Sequence, residues 1–73
     1  MDRLPPLRLL SVFETVQRAG GVKQAALRLN VSQPAVSQAL RQLEAHVGVP
    51  LLDRSTRPAG LTEAGQILHK AVT

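Results

Sequence analysis

The sequence contains no cysteine, tryptophan or tyrosine, and Phe13 is its only aromatic residue. Without cysteine, the chain forms no disulfide scaffold and offers no thiolate ligand to zinc, which suits a reducing compartment such as the cytoplasm. Because aromatic side chains are almost missing, aliphatic side chains must fill the interior. This composition favours packed helices over a β-sandwich.

The sequence also lacks the long apolar run of roughly 18 residues that a membrane-spanning helix needs. Its start, MDRLPPLRLL, has no uninterrupted hydrophobic region before a small-residue cleavage site. We therefore expect neither a secretion signal nor a membrane partner.

Motifs that would indicate an enzyme or a cofactor are missing as well. There is no glycine-rich phosphate-binding loop, and the serines have no plausible base. His46 and His69 lie far apart and lack neighbouring carboxylates at metal-binding spacing, so we expect surface or boundary histidines. We predict no catalytic residue, no metal site and no cofactor for this chain.

What the sequence does have is a small apolar core and a positive charge. Its 73 residues are 44% hydrophobic, and nine Lys and Arg against five Asp and Glu give a net charge of +4. The length allows one small domain. The charge is compatible with a polyanionic partner but does not by itself separate nucleic-acid binding from an ordinary basic surface.

Apolar residues recur at helical spacing in four segments. Pro5 and Pro6 precede the first segment and Gly20-Gly21 ends it, since glycine adopts the left-handed conformation that closes many helices. The apolar stripes of the first two helices are Leu10, Phe13, Val16 and Ala19, and Val22, Ala25, Ala26 and Leu29. The predicted buried stripe of the third helix is Val36, Ala39, Leu40, Leu43 and Val47. The apolar face of the fourth helix, Ala64, Ile67, Leu68 and Ala71, has little left to cover.

The segment LNVSQPAV separates the second helix from the third. Asn30 tolerates positive φ, Ser32 is a good N-cap, and Pro34 fits a first turn whose N–H groups have no intrahelical partner. We predict a sharp turn and a new helix that ends at Gly48. Two helices joined in this way are typical of a helix-turn-helix unit, whose second helix enters the DNA major groove.

The third helix has a polar face that suits base recognition. At about 100° per residue, the centre of the arc of Gln33, Ser37 and Arg41 lies roughly 90° from the centre of the apolar stripe. Glutamine can bond adenine, arginine can bond guanine, and small apolar atoms can contact a thymine methyl. The candidates are Gln33, Pro34, Ala35, Ser37, Gln38 and Arg41. A merely solvated face is the alternative, although Ala25 and Ala26 favour two closely crossing helices.

Beyond the third helix, the segment VPLLDRSTRPAGL predicts a small β-hairpin with a polar loop. Arg54 and Arg57 in that loop are candidate phosphate or minor-groove contacts, with a solvated loop as the alternative. Ser32 and Lys23 are candidate backbone contacts. Thr62 is predicted to cap a fourth helix, whose pattern stops without a closing signal, so we expect a fragment of a longer protein.

The segments AALRLNVSQPAVSQALRQLEAHVGVPLLDR and RPAGLTEAG resemble the N-terminal DNA-binding domain of LysR-type transcriptional regulators. The resemblance runs from Leu4 to about Ala71. It implies a mainly α winged helix-turn-helix with a three-helix core, a small β-hairpin wing and the start of a long linker helix. Residues 1–61 would form the DNA-binding domain and 62–73 the start of the dimerisation linker, with the effector domain absent.

The same resemblance implies sequence-specific binding of double-stranded DNA by a bacterial regulator. The recognition helix, about 33–47, would lie in the major groove and the wing, 54–58, at the minor groove and backbone. We expect promoter DNA with an inverted repeat, a homodimer through the linker helix, a tetramer of the full-length protein, and a location in the cytoplasm at the nucleoid. A small-molecule effector is expected only for the missing C-terminal domain.

Two departures from the family pattern bear on these expectations. Gln38 stands where many members have arginine, which would replace a charged contact with a neutral one. Gly21 and Lys23 stand where serine and threonine are frequent, which removes a good helix cap. The rival interpretation from another class is a protein-interaction module that uses the apolar face of the fourth helix and the polar face of the third.

Replacing Arg57 with alanine is expected to weaken binding to sites with A·T-rich flanks, because arginine inserts favourably into a narrow minor groove. The measurement is the affinity of both proteins for one central site placed between A·T-rich or G·C-rich flanks. Equal losses on both duplexes would contradict a minor-groove role for Arg57.

Overall fold

A computed structural model describes residues 5–56 and 60–72. Within these residues the chain forms four helices and one two-stranded antiparallel sheet. In chain order the elements are α1 (Leu7–Ala19), α2 (Val22–Leu29), α3 (Gln33–Val47), β1 (Leu52–Asp53), β2 (Gly60–Leu61) and α4 (Glu63–Val72). The predicted mainly α fold, with three packed helices, a hairpin and a fourth helix, is confirmed.

The helix boundaries follow the predicted local signals. Pro6 precedes α1, and its carbonyl accepts from the N–H groups of Leu9 and Leu10. Gly20 closes α1 at φ 91°, with its N–H bonded to the Val16 carbonyl at 3.0 Å. Gly48 closes α3 in the same left-handed conformation.

The turn between α2 and α3 also has the predicted chemistry. Asn30 adopts φ 59°, and among the described residues it is the only non-glycine residue with positive φ. The Ser32 hydroxyl accepts from the Ala35 N–H at 3.2 Å, which makes it the N-cap of α3. The bonds shown for this turn, from the Ser32 hydroxyl and from the N–H groups of Asn30 and Val31, all join residues close in sequence.

The core lies where α1, α2 and α3 meet, and β1 closes one end of it. Phe13 and Leu43 are completely buried at its centre. The buried apolar residues are Leu9, Phe13, Val16, Ala25, Ala26, Val36, Ala39, Leu40, Leu43, Leu51 and Leu52.

Val47 of the predicted buried stripe of α3 is exposed instead, and Leu9 is buried although the apolar stripe of α1 omits it. Val47 lies in the last turn of α3 and Ile67 on α4, with 37% and 64% of their surfaces exposed, and Ala71 is exposed near the end of α4. Helical spacing marks an apolar face, but burial also needs a neighbouring element to cover it. Ala64 and Leu68 of α4 pack against the core, so part of the apolar face of this helix is covered and part is exposed.

Leu52 pairs with Leu61 and Asp53 with Gly60 in the hairpin, so each strand has only two residues. Asp53 accepts from the Ser55 N–H at 3.0 Å, and the Thr56 hydroxyl accepts from the Gly60 N–H at 3.0 Å. The Thr56 hydroxyl also donates to the Asp53 carbonyl at 3.3 Å, so this side chain links the two strand ends of the hairpin. Arg57 and Pro58 lie outside the described residues.

Thr62 ties the start of α4 to the residues before the hairpin. Its hydroxyl accepts from the Gly65 N–H at 3.0 Å, which confirms the predicted cap, and it donates to the Pro50 carbonyl at 2.8 Å. Its own N–H donates to the Leu51 carbonyl at 3.0 Å. None of the helices in the described parts of the chain is long and apolar enough to span a membrane.

Gly65 is buried where α4 crosses the chain at Leu51. A Cβ atom on Gly65 would lie 2.1 Å from the Leu51 carbonyl oxygen, closer than any real contact allows. The close approach of α4 to this segment therefore requires glycine at position 65.

Gly65→Ala is expected to destabilise the fold by about 1 to 3 kcal/mol, because the clash with backbone outweighs the gain of at most about 1 kcal/mol in helix propensity. Chemical unfolding of both proteins measures the change. Gln66→Ala, at the exposed neighbouring position, is the control and should change the free energy of unfolding little. A stabilised Gly65→Ala variant would show that α4 does not need the close contact.

Candidate nucleic-acid interface

Helix α3 presents two faces of different chemistry. Val36, Leu40 and Leu43 are buried on one face. On the other, Gln33, Pro34, Ala35, Gln38 and Arg41 are exposed and Ser37 is half-buried. The structure therefore brings the six predicted major-groove residues onto the exposed side of one helix.

The long polar side chains of this face are not engaged elsewhere. Within residues 5–56 and 60–72, the side chains of Gln33, Gln38 and Arg41 make no hydrogen bond or ion pair. Their donors and acceptors are open to water, so a partner can bond them without breaking a contact inside the protein. Which atoms they contact in a complex stays a prediction.

The N-terminus of α3 adds a positive end to this face. The Ser32 hydroxyl satisfies the Ala35 N–H, Pro34 has no N–H, and the first turn of α3 carries no acidic residue. The remaining amide of Gln33 and the helix dipole make this end attractive to an anion such as a phosphate. The predicted role of Ser32 at the backbone is compatible with its cap, because the hydroxyl proton remains available.

Lys23 is exposed in the first turn of α2, as its predicted backbone role requires. The predicted absence of a side-chain cap at Gly21 is confirmed, since α2 begins without a side-chain hydrogen bond to its first turn. Its first turn contains no acidic residue, so the charge of Lys23 is not offset on its own helix.

Glu44, near the end of α3, is a site residue that the sequence analysis missed. One of its carboxylate oxygens, Oε2, accepts from the Leu51 N–H at 2.7 Å and the Leu52 N–H at 3.1 Å. The two oxygens also accept from the two terminal nitrogens of Arg54, at 3.1 and 3.3 Å. Glu44 thereby connects α3 to the hairpin. The only sequence signal is a glutamate ten residues before an arginine, too distant for a helix-spacing rule.

Arg54, predicted as a wing contact, is occupied by this ion pair. Its side chain is 49% exposed, but the guanidinium nitrogens face the Glu44 carboxylate. The predicted contact between Arg54 and DNA stays a prediction, and Arg57, the other arginine of the loop, lies outside the described residues.

Burial opposes the ionised form of Glu44, but the hydrogen bonds from Arg54, Leu51 and Leu52 outweigh it and lower the pKa of this carboxyl. Its ordinary value is 4.5. The ionised carboxylate is therefore the form that the fold stabilises.

A second missed contact joins α1 to α4. Glu14 is 8% exposed, and its Oε1 lies 2.9 Å from His69 Nδ1. Its Oε2 lies 3.4 Å from Arg18 Nε. His69 is half-buried, as expected for a boundary histidine. In the parts of the chain described, no group of three His, Cys, Asp or Glu residues could hold a metal ion.

Comparison with known proteins also indicates a helix-turn-helix domain. The family model for "Bacterial regulatory helix-turn-helix protein, lysR family" matches residues 7–66. The RuBisCO operon transcriptional regulator of Allochromatium vinosum is 48% identical over 64 residues, which cover 86% of this chain and 21% of that protein. The chain spans about a fifth of the length of the curated relatives it matches.

Solved structures share the fold. A LysR-family regulator from Eggerthella lenta, 38% identical, superposes with a TM-score of 0.84 over 93% of this chain and 97% of that one. Vibrio fischeri DarR, solved in complex with DNA, is 36% identical with a TM-score of 0.81 over 88% of this chain and 22% of that one.

Glu44→Gln is expected to flatten the acid dependence of stability. Because the pKa of Glu44 is lower in the folded chain than in the unfolded chain, its contribution is complete above its ordinary value and disappears as the pH falls through the folded value. The wild-type protein should therefore lose more stability than the variant between about pH 6 and about pH 3.

Chemical unfolding over this pH range measures the difference. Glu63→Gln is the control, since Glu63 is an exposed carboxylate with no ion pair to another described residue. If wild-type protein and Glu44→Gln show the same pH dependence, the carboxylate does not stabilise the fold in its ionised form.

Proposed function

This chain belongs to the lysR family of bacterial regulatory helix-turn-helix proteins, and from that premise we propose that it binds double-stranded DNA sequence-specifically as part of a transcriptional regulator. The observation that carries the proposal is the exposed polar face of α3, where Gln33, Gln38 and Arg41 have no partner among the described residues. It lies opposite the buried side chains Val36, Leu40 and Leu43. No acidic residue stands among Gln33, Pro34, Ala35, Ser37, Gln38 and Arg41. Such a face suits the base edges of a major groove.

In the complex that we propose, α3 lies in the major groove. Gln33 and Gln38 offer paired donor and acceptor groups for adenine, and Arg41 offers two donors for guanine. Pro34 and Ala35, at the start of the helix, present apolar atoms for a thymine methyl group. Because α3 packs on α1 and α2 through its other face, these side chains enter the groove on a rigid element.

The DNA backbone is held by groups around this helix. The N-terminus of α3, with Ser32, suits one phosphate, and Lys23 on α2 adds a positive charge without a partner in the described residues. The hairpin lies near the C-terminal end of α3, and we propose it as a wing that contacts the minor groove or the DNA backbone. Arg57 is the wing residue for which we propose the direct contact.

The proposed assembly is a homodimer through α4 on DNA with an inverted repeat. Ile67 on α4 is 64% exposed and Leu7 at the start of α1 is 81% exposed, so apolar surface is available to a second copy. A tetramer and a small-molecule effector would belong to the longer protein. Two-fold symmetry predicts half-sites about one helical turn apart or a multiple of it.

The same exposed apolar residues are the observation that favours the rival function, a protein-interaction module. Selection of the 73-residue chain on a pool of random duplexes, with affinity measured at two salt concentrations, separates the two. DNA binding through several phosphates weakens steeply with salt, whereas an apolar protein interface does not. Enrichment of an inverted repeat with a steep slope supports the proposal, and no binding at low salt contradicts it.

Gln33→Ala is expected to cost about 1 to 3 kcal/mol of discrimination at one base pair, because it removes a paired hydrogen bond to a base edge. Affinities for the selected duplex and for its single-base variants measure this. Gln66→Ala is the matched control, since Gln66 is an exposed glutamine on α4, outside the recognition helix. Equal losses on specific and random DNA for Gln33→Ala would refute its role in base recognition.

A further inference from the structure

We propose that Glu44 and Arg54 are positioning residues for DNA binding: their ion pair holds the wing in place relative to α3, and Arg54 makes no net electrostatic contribution of its own to the phosphates. The inference rests on the proposed function. It differs from the expectation for this loop, in which Arg54 is a direct contact.

Four hydrogen-bond donors meet on the Glu44 carboxylate. Glu44 accepts from two backbone N–H groups and from two guanidinium nitrogens, and only 14% of its side-chain surface is exposed. All four donors belong to residues 51–54, which contain β1. A single side chain of the recognition helix thus holds the first strand of the wing.

The hairpin is too short to fix its own orientation. Each strand has two residues, and such short strands do not determine their own orientation. Leu51 and Leu52 are buried, so their N–H groups would be left without a partner if Glu44 moved away. The orientation of the wing relative to α3 therefore depends on the Glu44 carboxylate at this end of the strand.

The ion pair also cancels the charge of Arg54. Arg54 and Glu44 together carry no net charge, whereas Arg41 and Lys23 have no acidic partner among the described residues. The salt dependence of DNA binding counts the cations that replace counterions on phosphates. A neutral pair adds nothing to this count. Removing the pair should therefore leave the salt slope unchanged, whereas removing an unpaired cation at a phosphate should reduce it.

The first test compares the double variant Glu44→Gln/Arg54→Met with Lys23→Met on the duplex that wild-type protein selects from a random pool. The double variant removes the ion pair without changing the net charge, so it should leave the slope of log affinity against log salt unchanged, while Lys23→Met, at a proposed backbone contact, should reduce it by about 1. A reduction of about 1 for the double variant as well would overturn the inference, because Arg54 would then contact a phosphate as a free cation.

The second test asks whether the pair positions the wing. Affinity is measured for a duplex that ends at the site of α3 and for one extended beneath the wing, at a temperature at which every variant is folded. Wild-type protein should prefer the extended duplex, and Glu44→Gln and Arg54→Met should each reduce the ratio of the two affinities towards 1. The double variant should reduce it no further than either single variant.

A role limited to stability would change both affinities equally and leave the ratio as in wild type, which would overturn the inference. If Glu44→Gln does not fold, Arg54→Met still decides, because it leaves the bonds from Leu51 and Leu52 to Glu44 in place. Arg54→Lys, which retains a cation opposite Glu44, should restore part of the ratio. Failure of wild-type protein to bind any duplex would instead refute the proposed function.

Discussion

The backbone of Leu51 is the point at which three elements of this fold are joined. Its N–H donates to Glu44 of α3 at 2.7 Å, and its carbonyl accepts from the Thr62 N–H, just before α4, at 3.0 Å. Its side chain is buried in the core, and the glycine at position 65 lets α4 pass directly over it. A shift of this residue would therefore change the positions of the hairpin and α4 relative to α3 at the same time.

The other end of the domain depends on small side chains. Helix α2 has eight residues, too few to be stable alone, and Ala25 and Ala26 are buried where it packs against α1 and α3. Because these side chains are short, the helices lie close together. The left-handed Asn30 then redirects the chain so that α3 begins at once, with its polar face outward. The exposed face of α3 is thus a consequence of how α2 packs.

Most of the local structure could be predicted from the sequence, because its signals act over a few residues. Asn30 adopts a left-handed conformation that its residue type tolerates, and the Ser32 and Thr62 hydroxyls each accept from the N–H three residues later, so residue type and position were sufficient. Val47 was assigned wrongly to the buried stripe of α3, because spacing marks an apolar face but does not say whether another element covers it.

The contacts that position the candidate site were not predictable in this way. Glu44 meets Arg54 ten residues later, and Glu14 meets His69 across 55 residues, so neither pair has a spacing rule. The need for glycine at position 65 depends on the path of a different segment. Sequence reasoning placed the six α3 residues on one exposed face, but it could not show that Arg54 is already paired.

This pairing bears on what the net charge means. A net charge of +4 describes the sequence, but a phosphate responds to the charges that remain unpaired near it. Glu14 and Glu44 are paired with Arg18, His69 and Arg54 within the fold. These two acids thus join α4 and the hairpin to the helical core, while Arg41 and Lys23 remain unpaired among the described residues. The distribution of charge, more than its sum, supports a polyanionic partner.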